Sequence, residues 1–118
     1  MLKTFLHAKI HRAAVTETDL DYEGSLGVDE DLMEAAGLKP FERVEVFNIT
    51  NGERFATYLI VKERGSRTIG VYGAAARRAK AGDRLIVVAY AVLAEDEIEG
   101  FAPRVVILNE KNEIIRSG

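Results

Sequence analysis

Cysteine is absent from this chain of 118 residues, which excludes disulfides and thiolate metal sites. Histidine is scarce: His7 and His11 are the only two, too few for an ordinary structural zinc site. No apolar run is long enough to span a bilayer, and no basic start leads into an N-terminal hydrophobic stretch, so a cytoplasmic protein is expected. Nor is positive charge in surplus. With 16 basic against 19 acidic residues the net charge is −3, which gives no general attraction to nucleic acid. The length allows one domain with a single core, and a hydrophobic fraction of 47% fits a soluble globular protein.

What is present reads as many short strands. Residues 2–13 alternate, setting Lys3, Phe5, His7, Lys9 and His11 on one face and Leu2, Thr4, Leu6, Ala8 and Ile10 on the other. Asp29 is suited to cap a short helix through Ala36, with Glu30 and Asp31 favourable in its first turn and Gly37 a natural stop. Residues 44–49 and 55–61 read as strands joined by a tight hairpin turn at Asn51-Gly52. A further short strand is expected at 68–72, and a helical turn or two at 74–79. Residues 84–93 are apolar on both faces, as a strand buried on both sides should be. Pro103, which cannot donate a ladder hydrogen bond, suits the start of a strand at 105–108, and the chain then turns at 109–112 into 113–116. Such a succession favours a small barrel over a layered α/β fold.

A faint internal repeat accompanies it. Ala35-Ala36, followed by Lys39-Pro40-Phe41-Glu42-Arg43-Val44-Glu45-Val46, is echoed by Ala75-Ala76, followed by Lys80-Ala81-Gly82-Asp83-Arg84-Leu85-Ile86-Val87. Each unit offers a short helix, a turn, an acidic residue beside an arginine, and an apolar strand.

The stretch Asp19-Leu20-Asp21-Tyr22-Glu23-Gly24-Ser25 carries the chemistry. A Gly-Ser pair by itself reads as a turn. Yet a serine after glycine can attack the preceding carbonyl, because glycine has no side chain in the way and accepts unusual backbone angles. The Gly24–Ser25 amide would pass to an ester on the Ser25 oxygen. β-Elimination of that ester would release the Gly24 carboxylate and leave dehydroalanine at 25. Hydrolysis with loss of ammonia would leave an N-terminal pyruvoyl group, a carbonyl able to accept electrons as pyridoxal phosphate does elsewhere.

The flanking motifs point the same way. Lys9-Ile10-His11-Arg12, Tyr22-Glu23-Gly24-Ser25, Asn48-Ile49-Thr50-Asn51-Gly52 with Arg54, Thr57-Tyr58, Glu63-Arg64-Gly65-Ser66 and Gly73-Ala74-Ala75-Ala76 occur in order along the chain. Together they resemble the pyruvoyl-dependent aspartate 1-decarboxylases, in register from the first residues to about Val106. The resemblance implies a mainly β, double-psi β-barrel with an internal pseudo-twofold, which agrees with the echo above. It implies one domain over 1–118, cut into a β chain (1–24) and an α chain (25–118). The implied reaction takes L-aspartate to β-alanine and carbon dioxide for pantothenate synthesis. It proceeds through a Schiff base between the substrate amine and the covalent pyruvoyl group made from Ser25, with no metal and no pyridoxal phosphate. Implied partners are L-aspartate and three further copies of the chain, in a homotetramer with active sites between neighbouring subunits. Neither nucleic acid nor a membrane is among them.

Site residues follow from the same match, weighed beside what each residue could otherwise be. Arg54 and Tyr58 fall on one face of a predicted strand, about 13 Å apart. Arg54 is assigned to the substrate's side-chain carboxylate, for which a guanidinium is suited by its bidentate geometry. The match makes Tyr58 the proton donor, although a strand aromatic is the commoner fate of tyrosine. Thr57, on the opposite face if the strand is regular, is implied to touch substrate and to help cleavage, which a bulge or a subunit boundary would reconcile. Gly73, Ala74 and Ala75 leave backbone N–H groups uncovered for a carboxylate, or simply pack a small-residue helix against the sheet. Lys9 is implied to lie near the substrate and Tyr22 to position the cut; His11 is placed with the processing and positioning residues, structural more than catalytic. Arg77, Arg78, Lys80 and Arg84 read as a solvated basic face, and residues 95–99 as a solvated acidic turn.

Two residues depart from the family pattern. Tyr72 stands where members usually have asparagine, and Asp21 where a histidine is common. Tyr72 motivates an alternative in which another small acidic amino acid is the substrate. A non-catalytic barrel that stays uncut is the remaining alternative.

Overall fold

The computed structural model describes residues 1–118. In chain order the elements are β1 (Lys3–Ala14), β2 (Glu17–Asp19), β3 (Ser25–Asp29), α1 (Glu30–Ala36), β4 (Arg43–Asn48), β5 (Arg54–Lys62), β6 (Ile69–Tyr72), a 3₁₀ helix (Gly73–Arg77), β7 (Arg84–Leu93), α2 (Glu95–Ile98), β8 (Arg104–Leu108) and β9 (Ile114–Ser117). The mainly β reading therefore holds. No helix is long and apolar enough to cross a membrane.

All nine strands join one mixed sheet in the order β2-β6-β3-β5-β4-β7-β1-β8-β9. Read outward from the β4–β7 seam, the two halves match. Each central strand has an antiparallel outer neighbour, β5 or β1, which is in turn parallel to β3 or β8; those are antiparallel to β6 and β9. At the seam Val46 faces Val87 directly. These are equivalent positions of the sequence echo, so the repeat is present as an approximate twofold in the pairing.

Buried side chains from the seven strands other than the edge strands β2 and β9, with others from α1 and the loops, form one cluster of 21 residues, reaching from Val71 on β6 to Val106 and Leu108 on β8. Strands near opposite ends of the sheet share this core, so the sheet curls around it, closed by Leu32, Met33 and Ala36 of α1. Each fully buried Leu, Ile or Val contributes about 1.5–3 kcal/mol through loss of hydrated apolar surface. Asn112, at φ 58°, ties the curl together. Its amide accepts from Ala14 N and donates to the Ala14 and Arg67 carbonyls, joining β1 to the loop before β6.

Local signals account for α1. Asp29 caps it by accepting from Asp31 N at 2.8 Å, and Gly37 ends it in the left-handed region at φ 73°. Asp29 also accepts from Gly65 N and Arg67 N, which fastens the β5–β6 loop to the helix start.

Four expectations are corrected. The alternation of β1 breaks at His7, where the pairing with β7 shifts between Leu6 and Ala8. Thr4 and Leu6 consequently share a face with Lys9 and His11, and Lys3 and Phe5 do not, because an inserted residue reverses every side chain beyond it. Asn51-Gly52 is not a two-residue hairpin turn. The β4–β5 loop spans 49–53, and the buried Asn48 organises it by accepting from Thr50 N and Asn51 N while donating to Asp83 and the Arg78 carbonyl. Arg84 does not belong to a solvated face, since its guanidinium donates to the carbonyls of Arg12 and Leu108. Finally, β2 and β3 form where no strand was expected. β2 is three exposed residues, and β3 contains serine and glycine, which are poor local strand formers.

Replacing Asp29 with alanine removes the cap of α1 and strands the Gly65 and Arg67 amides. Urea unfolding of that variant should show a stability lower by about 1–2 kcal/mol, with the slope unchanged.

Candidate active site

The end of β6 brings together parts of the chain that are distant in sequence. Tyr72, its last residue, pairs in parallel with Asp19 on one edge and antiparallel with Ser25 on the other. Between those two residues the chain straddles β6. Residues 20–24 of this excursion are exposed, whereas Ser25 is buried at 1% exposure. Gly73 lies against the excursion at φ 71°. A Cβ there would sit 2.5 Å from Gly24 Cα and 2.7 Å from Gly24 N, so glycine alone permits this backbone approach. The Ser25 hydroxyl donates a long hydrogen bond, 3.4 Å, to the Glu23 carbonyl, which turns it back toward the preceding chain. A Cβ at Gly24 would meet nothing nearer than the Tyr72 carbonyl oxygen at 3.9 Å, so the flank of Gly24 where a side chain would stand is open.

Tyr58 reaches this region from β5. Leu26 pairs with Leu59 in parallel register, so Tyr58 stands level with Ser25 one strand away and on the same outer face, 39% exposed. Thr57 faces the other way, half-buried opposite Val44, and the β4–β5 register runs without a bulge. Within one chain Thr57 is therefore turned from Ser25.

Tyr72 projects beside Ser25. Its ring lies over Gly70 and Gly27, which pair across β6 and β3, and its hydroxyl donates to Glu17 Oε2 at 2.8 Å. The Tyr22 ring packs on it at a centroid distance of 5.0 Å, and the Lys62 ammonium lies 4.8 Å from the Tyr72 ring and 5.8 Å from that of Tyr22. Burial, and then the hydrogen bond to Glu17, push the Tyr72 phenol well above its usual range. At neutral pH it is a protonated donor.

A second group of predicted residues stands on the outer face of β1, β7, β4 and β5. His11, Ile86, Phe47 and Arg54 form one row of that face, and Lys9, Val88, Glu45 and Ala56 the next. The Arg54 guanidinium lies 4.2 Å from the centroid of Phe47 and is otherwise exposed. His11 is half-buried with Nδ1 unpartnered, and burial, with the charges of Lys9, Arg12 and Arg84, lowers its pKa, so the imidazole is neutral. Arg54 lies about 13 Å along β5 from Tyr58, and Lys9 and His11 lie four strands, about 19 Å, across the sheet from Ser25. The structure thus brings Tyr22, Gly24, Ser25, Tyr58 and Gly73 together and leaves Lys9, His11 and Arg54 apart from them. Ala74 is exposed just beyond Gly73, and Ala75 packs partly on the core. Asp21 is exposed in the excursion, its N–H bonded to Asp19.

Residues 1–115 match the aspartate decarboxylase family. The chain belongs to that family. It is 53% identical over 114 residues to the aspartate 1-decarboxylase of Cupriavidus necator, covering 97% of this chain and 95% of that one. Against the aspartate 1-decarboxylase of Maricaulis maris the identity is 56% over 115 residues, 98% and 95% of the two chains. For that of Thioalkalivibrio sulfidiphilus it is 51% over 118 residues, 100% and 94%. Family membership covers the resemblance from which the site residues were drawn. It does not supply Glu17, Lys62, Gly27 and Gly70, which sequence reasoning missed. The two glycines inside strands were the available signal, since such glycines often mark a close approach; nothing local points to Glu17 or Lys62.

Folding favours the protonated Tyr72 phenol. The stability this supplies is whole below about pH 10, the unfolded value, and is lost as pH rises beyond it toward the raised folded value. Alkaline titration followed by phenolate absorbance should show a late-ionising tyrosine, and that laggard should vanish in Tyr72→Phe.

Proposed function

We propose that the chain cuts itself between Gly24 and Ser25, converts Ser25 to a pyruvoyl group, and decarboxylates L-aspartate to β-alanine and carbon dioxide for pantothenate synthesis. The observation that carries this reading is the seat of Ser25: a buried serine after an unobstructed glycine, with Gly73 pressed against the Gly24 backbone. Holding the hydroxyl beside the peptide makes the attack intramolecular, which is where most of the acceleration of such a step comes from.

The pyruvoyl carbonyl supplies the electron sink that a carboxylate leaving an amino-acid α-carbon requires. The chain's own residues do the rest. Tyr58, level with Ser25, holds a phenolic proton for the carbon that loses carbon dioxide. Arg54 offers two parallel N–H donors to the substrate's side-chain carboxylate, and backbone N–H groups of the Gly73-Ala74-Ala75 stretch, exposed at Ala74, can take the other. Stacking on Phe47 steadies the guanidinium.

Lys9, His11, Arg54 and Thr57 cannot act beside the Ser25 of their own chain at the separations described above. A homotetramer with sites between neighbouring subunits resolves this, because the outer face of β1, β7, β4 and β5 on one copy would complete the β3–β6 site of another. Lys9 and Arg54 then add positive charge where an acidic substrate enters.

Intact mass under denaturing conditions tests the first step. Two fragments meeting at Gly24 and Ser25 are expected, the larger lighter by one ammonia than hydrolysis alone would leave it, and Ser25→Ala should stay whole and inactive. A single uncut mass after prolonged warming would sink the reading. In a cleaved sample, aspartate should be turned over in preference to glutamate. Arg54→Ala should still be cut yet lose aspartate turnover by about a hundredfold, the cost of removing one charged partner; normal turnover refutes the role of Arg54.

A further inference from the structure

Residues 20–24 are exposed, and β2, which anchors their near end, is three exposed residues long. The excursion's internal restraints are a 3.5 Å bond from Tyr22 N to the Asp19 carbonyl and the Asp21 N–H to Asp19 Oδ1. By itself such a segment would sample many conformations. Self-cleavage needs the Ser25 oxygen held against one particular carbonyl.

The Tyr72 side chain supplies what the backbone lacks. Through its hydroxyl it grips Glu17, ahead of the excursion, and through its ring it packs on Tyr22, two residues before Gly24. The Lys62 ammonium lies over both rings and makes none of the chain's ion pairs, so its charge is directed to the aromatic faces. Room for the ring is cut into the sheet. A Cβ at Gly70 would collide with the Tyr72 phenol oxygen, and one at Gly27 would lie 2.8 Å from Tyr72 Cε2 and 2.9 Å from Lys62 Cε. Glycine weakens a strand interior, and two of them facing each other under one tyrosine show that the seat and its occupant form a unit.

We propose that Tyr72 is a positioning residue for self-cleavage: with Glu17, Tyr22 and Lys62 it clasps the 17–24 segment to the end of β6 and holds the Gly24–Ser25 peptide in reach of the serine hydroxyl. This rests on the self-processing reading above.

The test compares cleavage half-times, read by intact mass, for the wild-type chain, Tyr72→Phe, Glu17→Ala, Glu17→Gln and the Tyr72→Phe/Glu17→Ala double variant. Tyr72→Phe and Glu17→Ala should each slow cleavage about fivefold, the loss of one hydrogen bond. Glu17→Gln should cut at close to the wild-type rate, because the amide oxygen still accepts from the phenol. The double variant should be no slower than either single one, since both remove the same bond. Hydrogen exchange in the uncleavable Ser25→Ala background supplies a second readout. Adding Tyr72→Phe should speed exchange at residues 18–24 and leave β7 unchanged, which separates a loosened segment from a damaged fold. Wild-type cleavage rates in Tyr72→Phe, or slowing in the double variant equal to the product of the singles, would overturn the clasp alone. A wild-type chain that never cuts removes the self-processing reading and the clasp's role with it.

Discussion

The double pairing of Tyr72, with Asp19 on one edge of β6 and Ser25 on the other, is the constraint on which the candidate site depends. It forces the intervening residues to cross the end of one short strand, and there is no space for that crossing unless the residue after Tyr72 is glycine. Gly73 meets the demand twice: its positive φ turns the chain into the 3₁₀ helix, and its missing Cβ admits the Gly24 backbone. The burial of Ser25 and the open flank of Gly24 follow from this geometry. A serine in the same dipeptide on an ordinary turn would be solvated and free to rotate, and its attack on the chain would be correspondingly rare.

A second constraint comes from the twofold pattern of the sheet. Because β4 and β7 meet at the centre, Lys9 and His11 on β1 lie in the opposite half from β3 and β6, while Arg54 stands at the start of β5, about 13 Å along that strand from Tyr58. The cations that would attract an acidic substrate and the serine that would process it are therefore on different parts of the same outer surface. This division makes association between copies a requirement of the chemistry in the proposed reading. Chain-to-chain contact then completes what no single chain assembles.

Particular elements show why sequence reading succeeds in some places and fails in others. The helix at 30–36 was legible because every signal for it is local: Asp29 before it, acids in its first turn, Gly37 after it. β4, β5 and β7 were legible from their composition and periodicity. β2 and β3 were not, since β2 is only three exposed residues and β3 carries Ser25 and Gly27, so that pairing to β6, and for β3 to β5 as well, makes them strands. The facing of β1 was misread for a similar reason, as the bulge at His7 is imposed by its register against β7. In the site, Gly24, Ser25, Tyr58 and Gly73 were identified beforehand, whereas Glu17 and Lys62 carried no mark of their part.

By itself, then, the sequence determined family membership, the mainly β class, the internal repeat and the Gly24–Ser25 pair at which cleavage is proposed, because each is written in contiguous motifs or in composition. Only the tertiary structure decided which of the named residues stand together, that Thr57 faces away from Ser25, and that Tyr72 sits in a seat made by Gly27 and Gly70 with Glu17 as its hydrogen-bond partner. These depend on strand register, set by pairing between residues 41 to 55 positions apart for Tyr72 and its seat and 13 apart for Thr57 and Val44, and a shift of one residue would turn each of those side chains to the opposite face.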